Sequence, residues 1–381
     1  MIIIITMQEF FYIPNTLTDW IIISILILSF LFLIINYFIF YLPAIRHKDS
    51  WDDTNIPVSV IICAKNEEQN LDENLPYILQ QDYPNYEVVI VNDCSVDNTE
   101  QVIDKYYFQY PDKIRKVNIP ESENYKHGKK MAIFIGIKHA KYEHLVFTDA
   151  DCKPSSNQWL KIMAGHFTNN KQIILGYGKY AELPGFLNKL VRYDTLIIAL
   201  QYLSSAIRKN PYMGVGRNLA YTKSLFFKNK GFANHYHIAS GDDDLFVNET
   251  ANAENTAVCT HPDAFTISEP PLIFKHWLLQ KARHFSTSPS YKSSHQLMLG
   301  WIYFTILFFH TSIIAFSIIA PYLWQYILLT FLLKYFIQII FIFNASKKYK
   351  ESNLTPLSFI LEPLLIIMYI YIATYKKIRK I

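Results

Sequence analysis

Cysteine is scarce in this chain of 381 residues, and what there is stands apart: Cys63, Cys94, Cys152 and Cys259 form no CxxC. The spacing suggests neither a zinc site nor a disulfide framework, and it fits a reducing, cytosol-facing environment. Charge of one sign is lacking too. Lysine and arginine number 36 against 32 aspartates and glutamates, a net charge of +4, and no basic block is interleaved with aromatics. A nucleic-acid partner is therefore not expected. Between Trp20 and Leu42 there is no charged residue at all. What is abundant is apolar surface: 51% of the chain is hydrophobic and 16% aromatic, high for a protein that meets only water.

The uncharged run "WIIISILILSFLFLIINYFIFYL" has the length that crosses a hydrocarbon core as helix, about 20 residues. A cleaved leader would be shorter, would open on basic residues and would close on small ones. We expect residues 1–50 to form a membrane anchor with its helix at about 20–42. Arg46, His47 and Lys48 follow it, which by the positive-inside rule places the next segment in the cytoplasm. Apolar segments return at 298–320, 321–343 and 354–374, and residues 298–381 are expected to hold these C-terminal membrane helices. Pro356 and Pro363 could break the last one into a re-entrant piece, which would keep the basic tail "YKKIRKI" on the same side as the other basic loops. Each segment carries one polar residue near its middle: His310, Lys334 and Glu362. Buried charge in a membrane seeks a partner, and Lys334 is expected to pair with Glu362.

Residues 51–265 alternate strand-like and helix-like runs. "PVSVIICA" (57–64), "YEVVIVND" (86–93) and "HLVFTDAD" (144–151) read as strands. "EEQNLDENLPYILQQ" (67–81), "SVDNTEQVIDKYY", with Ser95 and Asp97 as candidate caps, and "KHGKKMAIFIGIKHA" read as helices. Such alternation implies an α/β fold with a mostly parallel sheet, whose ligands bind at the carboxyl ends of the strands. Three polar clusters fall there: "AKNEE", "NDCSVDNT" and "TDADCKP". The last holds two aspartates one residue apart, which suits a hard divalent ion shared with substrate phosphates. On extended backbone the two would point in opposite directions, giving Asp151 to the metal and Asp149 to the substrate or, through water, to the metal. Cys152 and Pro154 are read as packing and turn.

These motifs, in this order, resemble a membrane-bound family 2 glycosyltransferase of GT-A fold, over residues 58 to about 284. The resemblance implies that Glu67 and Asp93 hold a nucleotide, that Asp149 and Asp151 are the DxD pair, and that Lys129 of "GKKMAIFIGI" stands near a diphosphate. A helix start favours such a group. "GDDDLF" resembles the ED-x-D-L motif, which makes Asp242 the general base and Asp244 the second acidic position. Gly241 replaces the usual glutamate, so Asp243 stays in play, and Asp242 or Asp243 could instead be a helix cap. "EPPLIFKHWLLQKARH", in a segment 266–297 expected to lie amphipathically at the membrane surface, is similar to E-x-P followed by Q-x-x-R-W. Gln280 and Arg283 are donor-binding candidates, and His284 stands where the tryptophan would be. "YMGVGRNLAYTK" resembles the acceptor wall, which implies acceptor contacts from Gly214, Gly216 and Asn218.

The expected activity is transfer of a sugar from a nucleotide-sugar donor to a hydroxyl acceptor, a glycolipid or a polysaccharide. It would be inverting, dependent on Mg2+ or Mn2+, and carried out by an integral protein of the cell (inner) membrane with its catalytic domain in the cytoplasm. Transfer to a polyprenyl phosphate is the alternative, but an ionised phosphate needs no base. An inactive nucleotide-binding scaffold would not need both DxD aspartates.

Overall fold

The structure is a computed structural model that describes residues 12–121, 127–168 and 170–379. The side chains of the basic tail, 375–381, lie outside the described residues.

The chain enters through α1 (Leu17–Phe40) and a short α2 (Leu42–Arg46). The α/β unit follows as β1 (Val58–Ala64), α3 (Glu68–Leu79), β2 (Tyr86–Asp93), α4 (Thr99–Gln109), β3 (Ile114–Ile119), α5 (Lys129–His139) and β4 (His144–Phe147). It continues through β5 (Cys152–Pro154), α6 (Trp159–Gly165), β6 (Ile173–Leu175), β7 (Gly178–Tyr180), α7 (Phe186–Ile207), β8 (Leu219–Thr222), α8 (Lys223–Lys228), α9 (Asp244–Thr250), β9 (Thr256–Val258) and β10 (Thr266–Ser268). Then come α10 (Phe274–His284) and three long helices, α11 (Ser293–Ile319), α12 (Trp324–Lys348) and α13 (Ser358–Arg379).

Seven strands form one sheet in the order β3-β2-β1-β4-β8-β6-β9, and β5-β10-β7 form a small second sheet. In the large sheet only β8 runs against its neighbours, β4 and β6. The central strands "VSVIICA" and "YEVVIVND" are apolar along almost their whole length because both faces are covered. β3 has no such run: Ile114, Val117 and Ile119 turn inward while Arg115 and Asn118 face water, the pattern of an edge strand. One core, on α3 and α6, covers one face of the sheet. The other is continuous from the sheet through α7 into the long helices.

Four helices are long and apolar enough to cross a membrane among the described residues: Leu17–Arg46, Ser293–Ile319, Pro321–Lys348 and Thr355–Thr374. The expected break in the last is not found. Pro363 lies inside an unbroken α13, and the Phe359 carbonyl that it cannot serve accepts from the Tyr335 hydroxyl at 3.3 Å. The expected pair is formed: Lys334 donates to Glu362 and to Gln338 Oε1 at 2.6 Å, while Tyr37 donates to Glu362 Oε1 at 2.5 Å. His310 instead bonds locally, to the Ile306 carbonyl and beside the Tyr335 hydroxyl. The loop after α12 is tied to the α/β unit through Glu351, which accepts from Arg192 at 2.7 Å and from Tyr177 at 2.9 Å in a buried cluster. The two expected caps part ways: Asn98 precedes α4, Ser95 accepts from the Asn66 amide, and Asp97 accepts from the Glu68 amide at 3.2 Å as well as from the Thr99 amide at the α4 start at 3.1 Å. Those bonds tie the loops after β1 and β2 together.

Candidate active site

The loops at the carboxyl ends of β1, β2 and β4, the start of α5, the turn before β8, the start of α9 and one face of α10 meet around a single cavity of about 1190 Å³. It is lined by Glu67, Asp93, Lys129, Asp149, Asp151, Gly214, Gly216, the three aspartates 242–244, Gln280, Arg283 and His284. One predicted residue is missing. Asn218 is wholly buried, accepting from the Trp159 indole at 3.0 Å and donating to the Tyr177 and Ala264 carbonyls at 3.0 and 2.8 Å. Its amide is committed to the scaffold, and none of it faces the cavity.

The two DxD aspartates do not point apart. A turn closed by the Cys152 amide on the Asp149 carbonyl at 3.1 Å replaces extended backbone there, so ligand atoms of Asp149, Asp151 and Cys152 all lie within 4.8 Å of one another. Asp151 is oriented by Ser268, whose hydroxyl donates to Oδ2 at 2.7 Å. Asp149 Oδ1 accepts from Lys129 Nζ at 2.7 Å. Burial works against ionisation of Asp149, but Lys129 outweighs it and holds the carboxyl below its ordinary range. Convergent carboxylate oxygens fit a hard divalent ion. Cys152 itself begins β5, buried and paired to β10.

Lys129, the first residue of α5, also stands 3.3 Å from Asp242. The three consecutive aspartates divide their tasks. Asp243 is the α9 cap, accepting from the Asp244 amide at 2.7 Å and from the Gly216 amide at 2.7 Å. Burial, then the charges of Asp242 and Asp244, raise its pKa to about 7. Asp244 accepts from Thr287 and, at 2.7 Å, from Tyr291, and burial pushes it up as well. Asp242 keeps its carboxylate toward Lys129 and the cavity. Glu67 is raised by burial and by the nearby charges of Asp151 and Asp149, while Asn70 donates to it. Asp93 lies 2.9 Å from His127 Nδ1. A Cβ at Gly216 would meet Asp243 Oδ2 and Lys129 Nζ at 3.4 Å, an ordinary contact with the two charged groups. At Gly214 a Cβ would instead meet Leu219, Val247 and Leu175 at 3.0–3.2 Å, so that glycine serves core packing as well as the cavity wall.

Sequence reading missed Arg217. Its guanidinium lies 4.2 Å over the Tyr180 ring, with Nη1 buried and unpartnered at the cavity beside the DxD pair. Tyr180 is in turn bonded to Gln280 at 3.0 Å. The signal was available, since Arg217 is one of two charges in the quoted "YMGVGRNLAYTK" and directly follows Gly216. At its far end the cavity is walled by α11 and α13, through Leu299, Tyr303, Phe304, Ile366 and Ile370. No sequence pattern assigns residues of separate helices to one wall.

The architecture is the GT-A fold. The mannosyltransferase PcManGT of Pyrobaculum calidifontis, whose structure holds GDP-Man and Mn2+, superposes with a TM-score of 0.55 over 87% of this chain and 99% of that one, at 18% identity. Residues 59–227 match the family described as glycosyl transferase family 2. A glycosyltransferase of Haemophilus influenzae described as uncharacterized is 31% identical over 156 residues, 41% of this chain and 44% of the relative. A poly-beta-1,6-N-acetyl-D-glucosamine synthase of Staphylococcus epidermidis is 33% identical over 94 residues, 25% of this chain and 21% of the relative. A dolichyl-phosphate beta-glucosyltransferase of Trichomonas vaginalis is 29% identical over 166 residues, 40% of this chain and 48% of the relative. The chain thus spans less than half the length of these curated relatives.

Proposed function

We propose that the chain is an inverting, metal-dependent glycosyltransferase that moves a sugar from a nucleotide-sugar donor to a hydroxyl acceptor delivered from the membrane, with its catalytic domain on the cytoplasmic side of the cell membrane. The observation that carries this reading is the cavity, which runs from the DxD pair past Asp242–Asp244 to apolar walls on α11 and α13. One end has the chemistry of a nucleoside diphosphate, and the other that of an acyl or prenyl chain. Arg46, Lys347 and Lys348 at the helix ends facing the α/β unit support the cytoplasmic side.

In this reading Asp151 and Asp149 hold Mg2+ or Mn2+, which when bound supplies neutralisation of the departing diphosphate. The remaining steps belong to the protein. Glu67 and Asp93 grip the nucleotide, while Lys129 and Arg283, joined by Arg217, face the diphosphate oxygens with fixed positive charge. Asp242 takes the proton of the acceptor hydroxyl as its oxygen bonds to the anomeric carbon and the diphosphate leaves from the opposite face. Lys129, 3.3 Å away, holds the Asp242 carboxylate in place beside the cavity. Gly216 leaves room beside the sugar, Gln280 anchors Tyr180 beneath Arg217, and His284 contacts the acceptor. A polyprenyl-phosphate acceptor is the second reading, supported by the apolar wall. It is disfavoured because its phosphate would approach three carboxylates.

The test is nucleoside diphosphate release by the purified protein in lipid, with a panel of nucleotide sugars and with hydroxyl-bearing and phosphate-bearing lipid acceptors. Release that needs Mn2+ or Mg2+ and a hydroxyl acceptor supports the reading. Turnover with the phosphate lipid alone, or equal turnover in excess chelator, overturns it.

A further inference from the structure

A second cluster of metal-ligating groups lies well away from the cavity. Asp49, in the segment leaving the membrane anchor, His166, just after α6, and Cys259, just after β9, bring one ligand atom each to within 4.8 Å of one another. His166 and Cys259 are buried, and so is the carboxylate of Asp49. None of the three lines the active-site cavity.

The hydrogen bonds around the cluster are arranged as they are around a bound ion. His166 Nδ1 donates to the Ile162 carbonyl at 2.8 Å, which leaves the lone pair on Nε2. That buried Nε2 has no hydrogen-bond partner and faces Asp49 Oδ1 at 3.6 Å. The gap is too long for a hydrogen bond. It is close to the separation of about 3.3–3.5 Å that nitrogen and oxygen ligands adopt on one tetrahedral zinc ion. The carboxylate is held in place from behind, accepting from the Thr260 amide at 2.7 Å and the Thr260 hydroxyl at 2.6 Å. His47 Nε2 lies 3.8 Å from the same Asp49 oxygen. Trp51 stacks on the His166 ring and closes the cluster from outside.

We propose that Asp49, His166 and Cys259 bind a structural Zn2+ ion. A set of one thiolate, one imidazole and one carboxylate suits zinc rather than the all-oxygen preference of magnesium. Cys259 binds as the thiolate and its proton passes to solvent. The three ligands come from segments about 93 to 210 residues apart, so the ion staples the strap below the anchor to the underside of the large sheet. This site is separate from the divalent ion of the transfer reaction.

The experiment is metal analysis of the full chain in detergent, followed by substitution with Co2+ and electronic spectroscopy. One zinc per chain is expected to survive dialysis, and the cobalt protein is expected to show a thiolate-to-metal charge-transfer band. The band should vanish in Cys259→Ser and persist in Cys152→Ser, Cys94→Ser and Asp151→Ala. The wild-type stoichiometry keeps the test decisive if Cys259→Ser folds poorly. Wild-type protein that neither retains zinc nor takes up cobalt, or a band that persists in Cys259→Ser, overturns the proposal.

Discussion

Lys129 Nζ lies 3.3 Å from Asp242 while also donating to Asp149 at 2.7 Å, so one ammonium joins the DxD turn to the acidic cluster 93 residues later. Without substrate its charge is shared between carboxylates. In the proposed reaction a diphosphate entering the cavity would compete for it and release its hold on Asp242. Lys129→Met is expected to lower kcat/KM by roughly 10²–10³, the usual cost of removing a group that stabilises developing charge, and to weaken nucleoside diphosphate binding in a titration. Unchanged diphosphate affinity would argue that Lys129 serves only the carboxylates.

Asp151→Ala should abolish the dependence of turnover on Mn2+ concentration, with a loss of about 10² or more. Asp149→Asn should leave residual activity with a raised metal requirement, because the two carboxylates converge on one point. Steady-state rates against metal concentration distinguish the two, and full metal-dependent turnover in Asp151→Ala would exclude it as the ligand.

Asp243 has a pKa of about 7, raised by burial and by Asp242 and Asp244. The folded protein therefore holds a proton that the unfolded chain releases near pH 4. Stability from this group is present in full below pH 4 and is lost as pH climbs toward 7. Removing the neighbouring charge with Asp242→Asn should flatten that loss. Thermal midpoints measured from pH 5 to 8 should fall less in the variant, whereas the lost Lys129 contact, charged throughout this range, shifts the curve without changing its slope. Parallel curves would contradict the assignment.

Asn218→Ala should act on folding, leaving acceptor affinity alone. It strands the Trp159 indole and two buried carbonyls, at about 1–3 kcal/mol for each unsatisfied group. The expected outcome is poor yield and a lower thermal midpoint with an unchanged KM in the folded fraction. Arg217→Gln should do the reverse, raising donor KM with little loss of stability.

Within the long apolar helices, Lys334→Met or Glu362→Gln alone leaves the other member of the pair buried, at a cost of about 3–5 kcal/mol. The double Lys334→Met, Glu362→Met variant should recover much of the yield. A charge swap should recover less, because Gln338 and Tyr37 are placed for the present order. A swap and singles that damage equally would say the pairing contributes nothing.

The runs "VSVIICA" and "YEVVIVND" revealed the central strands because a strand covered on both faces must be apolar throughout. The DxD, the lysine at the α5 start and the aspartate triplet were legible because each is a local pattern tied to a strand or helix end. The edge strand β3 was not, since half its residues face water. Local pattern also misled at two points. It set Asp149 and Asp151 on opposite sides of an extended strand, where the 149–152 turn brings them together, and it offered Asn218 as an acceptor contact when its amide is spent on the scaffold.

By itself, the sequence determined the alternating α/β unit, the apolar lengths of the four long helices and the kinds of group available to a nucleotide sugar, because periodicity, run length and residue chemistry are local properties. Only the tertiary structure decided that Arg217 stands over Tyr180 beside the DxD pair, that α11 and α13 wall the far end of the same cavity, and that Asp49, His166 and Cys259 converge. Those relationships join residues remote along the chain, and what brings them together is the packing of helices on a sheet, which no spacing in the sequence records.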